Sequence, residues 1–371
     1  MGTLFDYLKW RGDISFTQLG INQVDNLIFS ELSYLNFKDI AGYDYNKRIS
    51  LKEASDCYFA MQPVKKIPRG ILPADEIKEL LMCCAETERF KNVELWGYRN
   101  EVSKKNESQF AALSFTLPGN CSYIAFRGTD NTVAGWKENF NMSFMFPVPA
   151  QEKAAEYLRY AANSCDGPLH VGGHSKGGNL AEYASALAPD DIKKRIEHIW
   201  SNDGPGFMAE FLKNPEYQKI RGKITKIMPE SSVVGVLLDS DCETIIIESS
   251  NFGPKQHEGV SWLCEGGSFI QAEDTSSGSK RVDETIDVVL NSFSPEERKE
   301  FLESVFDAVY KTGVTSLQEL FSLGRKPQYL LSSIDMEPEL KEKFIRALMV
   351  SGHIDERIIH FIFDRSKSDK K

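Results

Sequence analysis

The stretch Leu169 to Tyr183, LHVGGHSKGGNLAEY, constrains the fold of this chain more than any other. A short apolar run from Leu169 to Gly173 reads as a buried strand, and Gly178 to Leu187 reads as a helix. Between them, Gly173-His174-Ser175-Lys176-Gly177 is a G-x-S-x-G pattern, in which a serine is held on a sharp, strained corner with its hydroxyl exposed. Glycine at 173 and 177 leaves room where a side chain would collide with the turn. Ala181, Ala184, Ser185 and Ala188 let the helix sit close against a sheet.

The rest of the chain can be placed around that corner. Residues 1–90 are mostly helical in pattern, with Val24, Leu27, Ile28, Leu32 and Leu35 on one apolar face and a second helix from Asp75 to Cys84. This segment is expected to cap the core, with Trp10-Arg11-Gly12-Asp13 in a docked terminal arm. From Val93 the pattern turns to strands at Val93–Val102, Gln109–Leu117 and Ser122–Phe126, followed by helices at Thr132–Phe140 and Glu152–Asn163. After the serine corner come a strand at Ile196–Asn202, a loop and helix over Gly204–Leu212, and strands at Lys223–Met228 and Thr244–Glu248. Strands alternating with helices imply an α/β fold with a mainly parallel sheet covered on both faces. Asp274 to Ser279 reads as a polar linker, and Val282 to about Phe363 as a helical C-terminal extension. The expected organisation is a helical cap over 1–90 belonging to the core domain, an α/β core over 91–272 and a helical region over 281–365.

Composition narrows the function classes. The 371 residues suit one large domain or two, and 41% hydrophobic content can build a sizeable core. Lys and Arg total 44 against 54 Asp and Glu, a net charge of −10, which argues against nucleic acid as a partner and against electrostatic binding to anionic membranes. The N-terminus lacks a basic segment followed by an apolar run, and no stretch approaches the roughly 18 apolar residues that span a bilayer. Asp6 stands where a myristoylation signal needs Ser or Thr. The expectation is a cytoplasmic protein without a stable membrane anchor, leaving transient lipid-surface contact open. Seven cysteines, none in a Cys-x-x-Cys pair, read as reduced thiols without structural zinc.

A serine hydroxyl is a poor nucleophile near neutral pH and needs a base, itself oriented by a carboxylate. Of six histidines, His170 begins the strand before the corner, His174 is inside the turn, His198 lies within a strand, and His353 and His360 belong to the tail. His257 remains, in the loop Asn251–Gly259 after the apolar strand Thr244–Glu248, where chain order serine, acid, histidine wants it. For the acid, Asp203 follows the strand Ile196–Asn202 and would emerge at the C-terminal edge of the sheet. Glu230, Asp239 and Asp241 compete with it. An oxyanion needs two donors: the amide of Lys176 is one, and Thr129, after the strand end Phe126-Arg127-Gly128, is the candidate for the other.

Together these residues resemble the lipase-like α/β-hydrolases, in particular the class 3 lipases. Tyr123-Ile124-Ala125-Phe126-Arg127-Gly128-Thr129, with Trp136 and Asn139 following, is similar to that group's F-R-G-[ST] oxyanion strand and tryptophan-bearing lid helix, and Gly173-His174-Ser175-Lys176-Gly177-Gly178 to its G-H-S-x-G-G corner. Asp6 to Asp13, Asp203-Gly204-Pro205-Gly206-Phe207, Gln256-His257 and Ser261-Trp262 resemble a bacterial family of lipase-like proteins over most of residues 1–270. Two positions depart from the class 3 pattern. Lys176 replaces a leucine and puts a cation beside an apolar acyl site, and Ser231-Ser232 stands where that group carries its acid.

The reading is a serine hydrolase of carboxylic esters with an acyl-serine intermediate: Ser175 as nucleophile, His257 as base, Asp203 orienting it, and Thr129 and Lys176 in the oxyanion hole. The substrate would be a small-molecule or lipid ester, and no metal or organic cofactor is implied. Residues 131–149, with Phe140, Met142, Phe144, Met145 and Phe146, fit either a lid or acyl-binding wall or an ordinary packing segment. The rival reading is a hydrolase-fold protein of weak or no activity that binds a partner through its pocket or C-terminal helices.

Overall fold

The computed structural model describes residues 1–61, 74–103, 108–129, 137–139, 141–142, 144–313, 337–340 and 342–343. The chain divides into two units, one of Met1–Thr129 with Pro149–Ser279 and one of Asp130–Val148 with Lys280–Lys371.

The first unit is built on an eight-stranded sheet whose spatial order follows the chain: β1 (Ile49–Ser50), β2 (Glu94–Ser103), β3 (Ser108–Thr116), β4 (Ser122–Phe126), β5 (Leu169–His174), β6 (Ile196–Asn202), β7 (Ile224–Pro229) and β8 (Glu243–Ile247). Strands β1 to β4 pair antiparallel, and every pair from β4 to β8 is parallel. When successive parallel strands are also spatial neighbours, right-handed crossovers place all their helices on one face. The other face then needs a separate cover, which the N-terminal helices supply.

The cores reflect this division, since side chains along a strand alternate between faces. On β4, Ile124 and Phe126 join Ala154 and Leu158 of a helix at Pro149–Asn163 and Leu180 and Ala184 of one at Lys176–Leu187. Tyr123 and Ala125 turn the opposite way, toward Leu4 and Tyr7 of α1 (Leu4–Arg11), Leu27 to Phe29 of α2 (Gln23–Leu32), and Leu80 and Leu81 of a helix at Ala74–Ala85. The architecture is an α/β-hydrolase-like fold, a mainly parallel sheet with helices on both faces.

Helix α2 departs from the one-sided amphipathic pattern read from sequence, because every residue from Val24 to Leu32 is buried. The Asn22 side chain accepts from the amides of Val24 and Asp25 and caps it, satisfying donors that a helix start leaves open. Its buried polar side chains mostly find partners. Asp25 is paired with the Arg89 guanidinium and accepts from the Tyr7 hydroxyl at 2.6 Å, Asn26 donates to Asn202 at 2.8 Å, and Ser30 meets the Tyr123 hydroxyl at 3.1 Å. The Glu31 Oε1 atom has no hydrogen-bond partner.

Several short elements carry no periodicity to read in advance: β1, the hairpin Cys264–Glu265 with Ser268–Phe269, and six-residue helices at Asp190–Arg195 and Pro215–Ile220. In the loop and helix expected over Gly204–Leu212, helix is confined to Ala209–Leu212. The expected linker Asp274–Ser279 is helical from Ser277 onward, because the Ser276 hydroxyl accepts from the Ser279 amide at 3.2 Å and so starts the helix Ser277–Ser292.

In the second unit, a helix spans Pro295–Lys311, capped by Ser294 and Glu297. Leu302, Phe306 and Val309 form an apolar cluster with Phe301 and Phe144. That contact groups the described part of residues 130–148 with the C-terminal helices, whereas the sequence pattern assigns the segment to the core. Of the expected helix Thr132–Phe140, residues 137–139 are helical and the rest, with Trp136, lies outside the described residues, as does most of the tail beyond 313, including His353 and His360. Among the described residues no helix is long and apolar enough to cross a membrane.

Candidate active site

Ser175 is the single residue between β5 and the helix Lys176–Leu187, and its backbone sits at φ 59° and ψ −133°. A residue with a side chain rarely adopts positive φ, so the corner is strained and must be held from outside. The Ser175 amide donates to the Asn202 carbonyl at 2.8 Å, and the Asn202 side chain donates to the Gly173 carbonyl at 3.1 Å and to Asn26 on α2 at 3.0 Å. The glycines permit close approach to the end of β4. A Cβ on Gly173 would lie 2.3 Å from the Phe126 carbonyl oxygen, and one on Gly177 2.0 Å from it.

The segment after β4 comes equally close. A Cβ on Gly128 would stand 2.9 Å from the Ser175 Cβ and 2.5 Å from the His174 carbonyl oxygen, which puts buried Thr129 one residue from the corner. Lys176 opens the helix after the corner, and amides of a first turn have no acceptor within the helix. Its ammonium group is buried and donates to the Gln109 carbonyl on β3 at 2.9 Å.

The structure brings His257 and Asp203 together from the ends of different loops. His257 closes a short 3₁₀ turn, Gly253–His257, and its Nδ1 lies 2.6 Å from Asp203 Oδ2. Asp203 is fully buried and has φ 48°, another strained position at a strand end. Its amide donates to the Ile227 carbonyl at 2.7 Å, while its Oδ1 accepts from the Ser232 hydroxyl and, at 3.1 Å, from the Gly235 amide. Burial alone would raise the carboxyl pKa. The His257 hydrogen bond and charge, together with the Ser232 hydroxyl, outweigh it and hold the group below the usual carboxylate range. An ionised carboxylate can only accept, so the His257 proton sits on Nδ1, which leaves Nε2 as the basic atom.

None of the competing acids makes the bond to His257. Glu230 accepts from the Gln256 side chain at 3.3 Å, Asp239 is held through its backbone to Phe207, and Asp241 pairs with Arg221 at 2.9 Å. His170 and His198 lie together lower on the sheet, with stacked rings 6.4 Å apart, away from this pair in register.

Sequence reasoning missed the supports of the site. In the sequence Ser232 marks only a missing acid, yet its hydroxyl sits on Asp203. Tyr34 and Glu31 belong to α2 and the turn after it, and helical spacing carries no signal that they approach the corner. The Tyr34 hydroxyl is 3.0 Å from His174 Nδ1, and Glu31 Oε1 is 3.7 Å from the same atom. His174 Nε2 lies 2.8 Å from the His257 carbonyl oxygen, and the Trp262 indole donates to the preceding carbonyl, Gln256, also at 2.8 Å. The His174 and His257 ring centroids are 4.6 Å apart.

Among solved structures, the crystal structure of M37 lipase is similar, at 16% identity over 57% of this chain and 68% of that one, with a TM-score of 0.37. No curated protein matches the chain. The Mbeg1-like family model matches residues 84–307, which takes in β2 to β8, Ser175, Asp203 and His257, so the chain belongs to the Mbeg1-like family.

Proposed function

We propose that the protein is a serine hydrolase of carboxylic esters that works through an acyl-Ser175 intermediate. The observation that carries this reading is the 2.6 Å bond from His257 Nδ1 to a buried, ionised Asp203, with the His257 ring packed against the residue that precedes the strained Ser175. His257 Nε2 takes the Ser175 proton as Oγ bonds to the ester carbonyl carbon. The carbonyl π electrons move to oxygen, where the amides of Thr129 and Lys176 receive the charge. On collapse the carbon–oxygen bond to the alcohol breaks, and His257 gives the alcohol its proton. Water then attacks the acyl-serine with His257 again as base, releasing the acid and restoring Ser175. The substrate is a small-molecule or lipid ester, met in the cytoplasm.

The test is labelling with a fluorophosphonate, with the adduct located by peptide mass. The expected result is an adduct on Ser175 that disappears in Ser175→Ala and His257→Ala, followed by hydrolysis of p-nitrophenyl esters of graded acyl length. A folded wild-type chain that stays unlabelled and leaves esters, thioesters and amides intact would overturn the reading, and the C-terminal helices would become the place to seek a binding partner.

A further inference from the structure

We propose that His174, the residue before the nucleophile, is a positioning residue whose Nε2–H holds the His257 carbonyl and so keeps the base in place; this rests on the hydrolase reading above. A carbonyl oxygen cannot donate, so at 2.8 Å the His174 Nε2 must carry the proton. The ring is fully buried, and that burial, reinforced by the charge of His257, drives its pKa down to about 3, so it stays neutral and holds only that one proton. Nδ1 is therefore an acceptor, matched by the Tyr34 hydroxyl at 3.0 Å. Edge-on contacts with Tyr34 and Trp262, at 5.9 and 6.2 Å between ring centroids, fix the plane of the ring.

The need for such a hold is visible in the loop that carries His257. At its near end Phe252 is 88% exposed, and Gly253 has φ 57° with nothing within reach of an added Cβ. At its far end two consecutive carbonyls, Gln256 and His257, are each bound by a buried ring N–H, from Trp262 and His174. The loop is thus anchored at the residue that must present its imidazole. Because His174 is covalently next to Ser175, the same bond ties base to nucleophile across the 83 residues that separate His174 from His257. Misplacement of a catalytic group by about 1 Å can cost around a hundredfold in rate.

The test compares two polar replacements of similar size. In His174→Gln the side-chain amide reaches the place of Nε2 and can still donate to the His257 carbonyl, whereas in His174→Asn it ends near the place of Nδ1 and cannot. With p-nitrophenyl acetate, the Asn variant should lose about a hundredfold in kcat with KM little changed, and the Gln variant should stay within about fivefold of wild type. In parallel, proton NMR should show the low-field His257 Nδ1–H in wild type and the Gln variant, and its loss or broadening in the Asn variant. Equal kcat and equal spectra in the two variants would overturn the proposal while leaving the hydrolase reading intact. If wild type proves inactive, the hydrolase reading falls and the spectra still decide whether His174 holds His257.

Discussion

His257 and His174 are neighbours, each with a carboxyl group near its Nδ1, and the two pairs sit in opposite electrical states. Asp203 lies 2.6 Å from His257, which is 19% exposed at its side chain, and its carboxylate is further satisfied by Ser232 and Gly235. Glu31 lies 3.7 Å from His174, beyond hydrogen-bond length, with both side chains essentially buried and Oε1 without a partner. Burial, with a smaller contribution from Glu258, pushes the Glu31 pKa up to about 8, while burial and the charge of His257 take His174 down to about 3. Both members of the inner pair are therefore neutral near pH 7. What separates the pairs is the number of hydrogen bonds offered to the carboxylate, since without them a buried acid keeps its proton. In the proposed reaction the outer pair would carry charge, while the inner pair holds shape.

The sharpest way to break this contrast is the same change, carboxyl to amide, at both sites. Asp203→Asn should lower kcat for ester hydrolysis by about 10⁴-fold, because an amide no longer fixes the His257 tautomer. Glu31→Gln replaces one neutral group with another and should leave kcat within about threefold. Similar losses in the two variants, read from initial rates, would refute the division of roles.

A second carboxyl on α2 sharpens it further. Asp25 is held by Arg89, which also donates to the carbonyls of Ile14, Leu19 and Gly20 and packs over Phe16 at 4.0 Å. Arg89→Met should cost about 3–5 kcal/mol in denaturant unfolding, since it removes the counter-ion of a buried carboxylate and leaves it only neutral donors, the Tyr7 hydroxyl and the Asn22 amide. Ser232→Ala removes one donor from Asp203 and should cost about 1.5–3 kcal/mol, the range for a hydrogen bond to a charged group.

A further contrast concerns pH. A carboxyl whose folded pKa is raised from 4.5 to about 8 contributes stability that is fully present below pH 4.5 and is lost as pH rises toward 8. The Glu31→Gln variant should therefore gain stability relative to wild type across that window in urea midpoints, with the difference flat below pH 4.5. His174, whose pKa is lowered from 6.5 to about 3, acts in the opposite sense: its contribution is present above pH 6.5 and is lost as pH falls toward 3. A difference curve that rises toward acid would sink the assignment of a neutral Glu31.

Much of the candidate site is legible in the chain because it is local. The spacing of Gly173, Ser175 and Gly177 announces a strained corner, since sterics at positions two apart act through the covalent backbone. Asp203 follows directly on the strand Ile196–Asn202, so the residue order alone puts it at the sheet edge. The short helices at Asp190–Arg195 and Pro215–Ile220 are less than two turns long, too brief for a periodic signal.

What the sequence by itself determined is therefore the order of strands β2 to β8 and of the longer helices between them, the glycine-flanked Ser175, and the short set of acids and histidines that follow it. Only the tertiary structure decided which of those acids meets His257, that α2 is buried on every side, and that Glu31 and His174 are both neutral. The physical reason is range. Backbone sterics and side-chain periodicity act over a few residues and are written in the sequence. Pairing across the 54 residues from Asp203 to His257, and the desolvation that sets a protonation state, depend on which surfaces the folded sheet brings together.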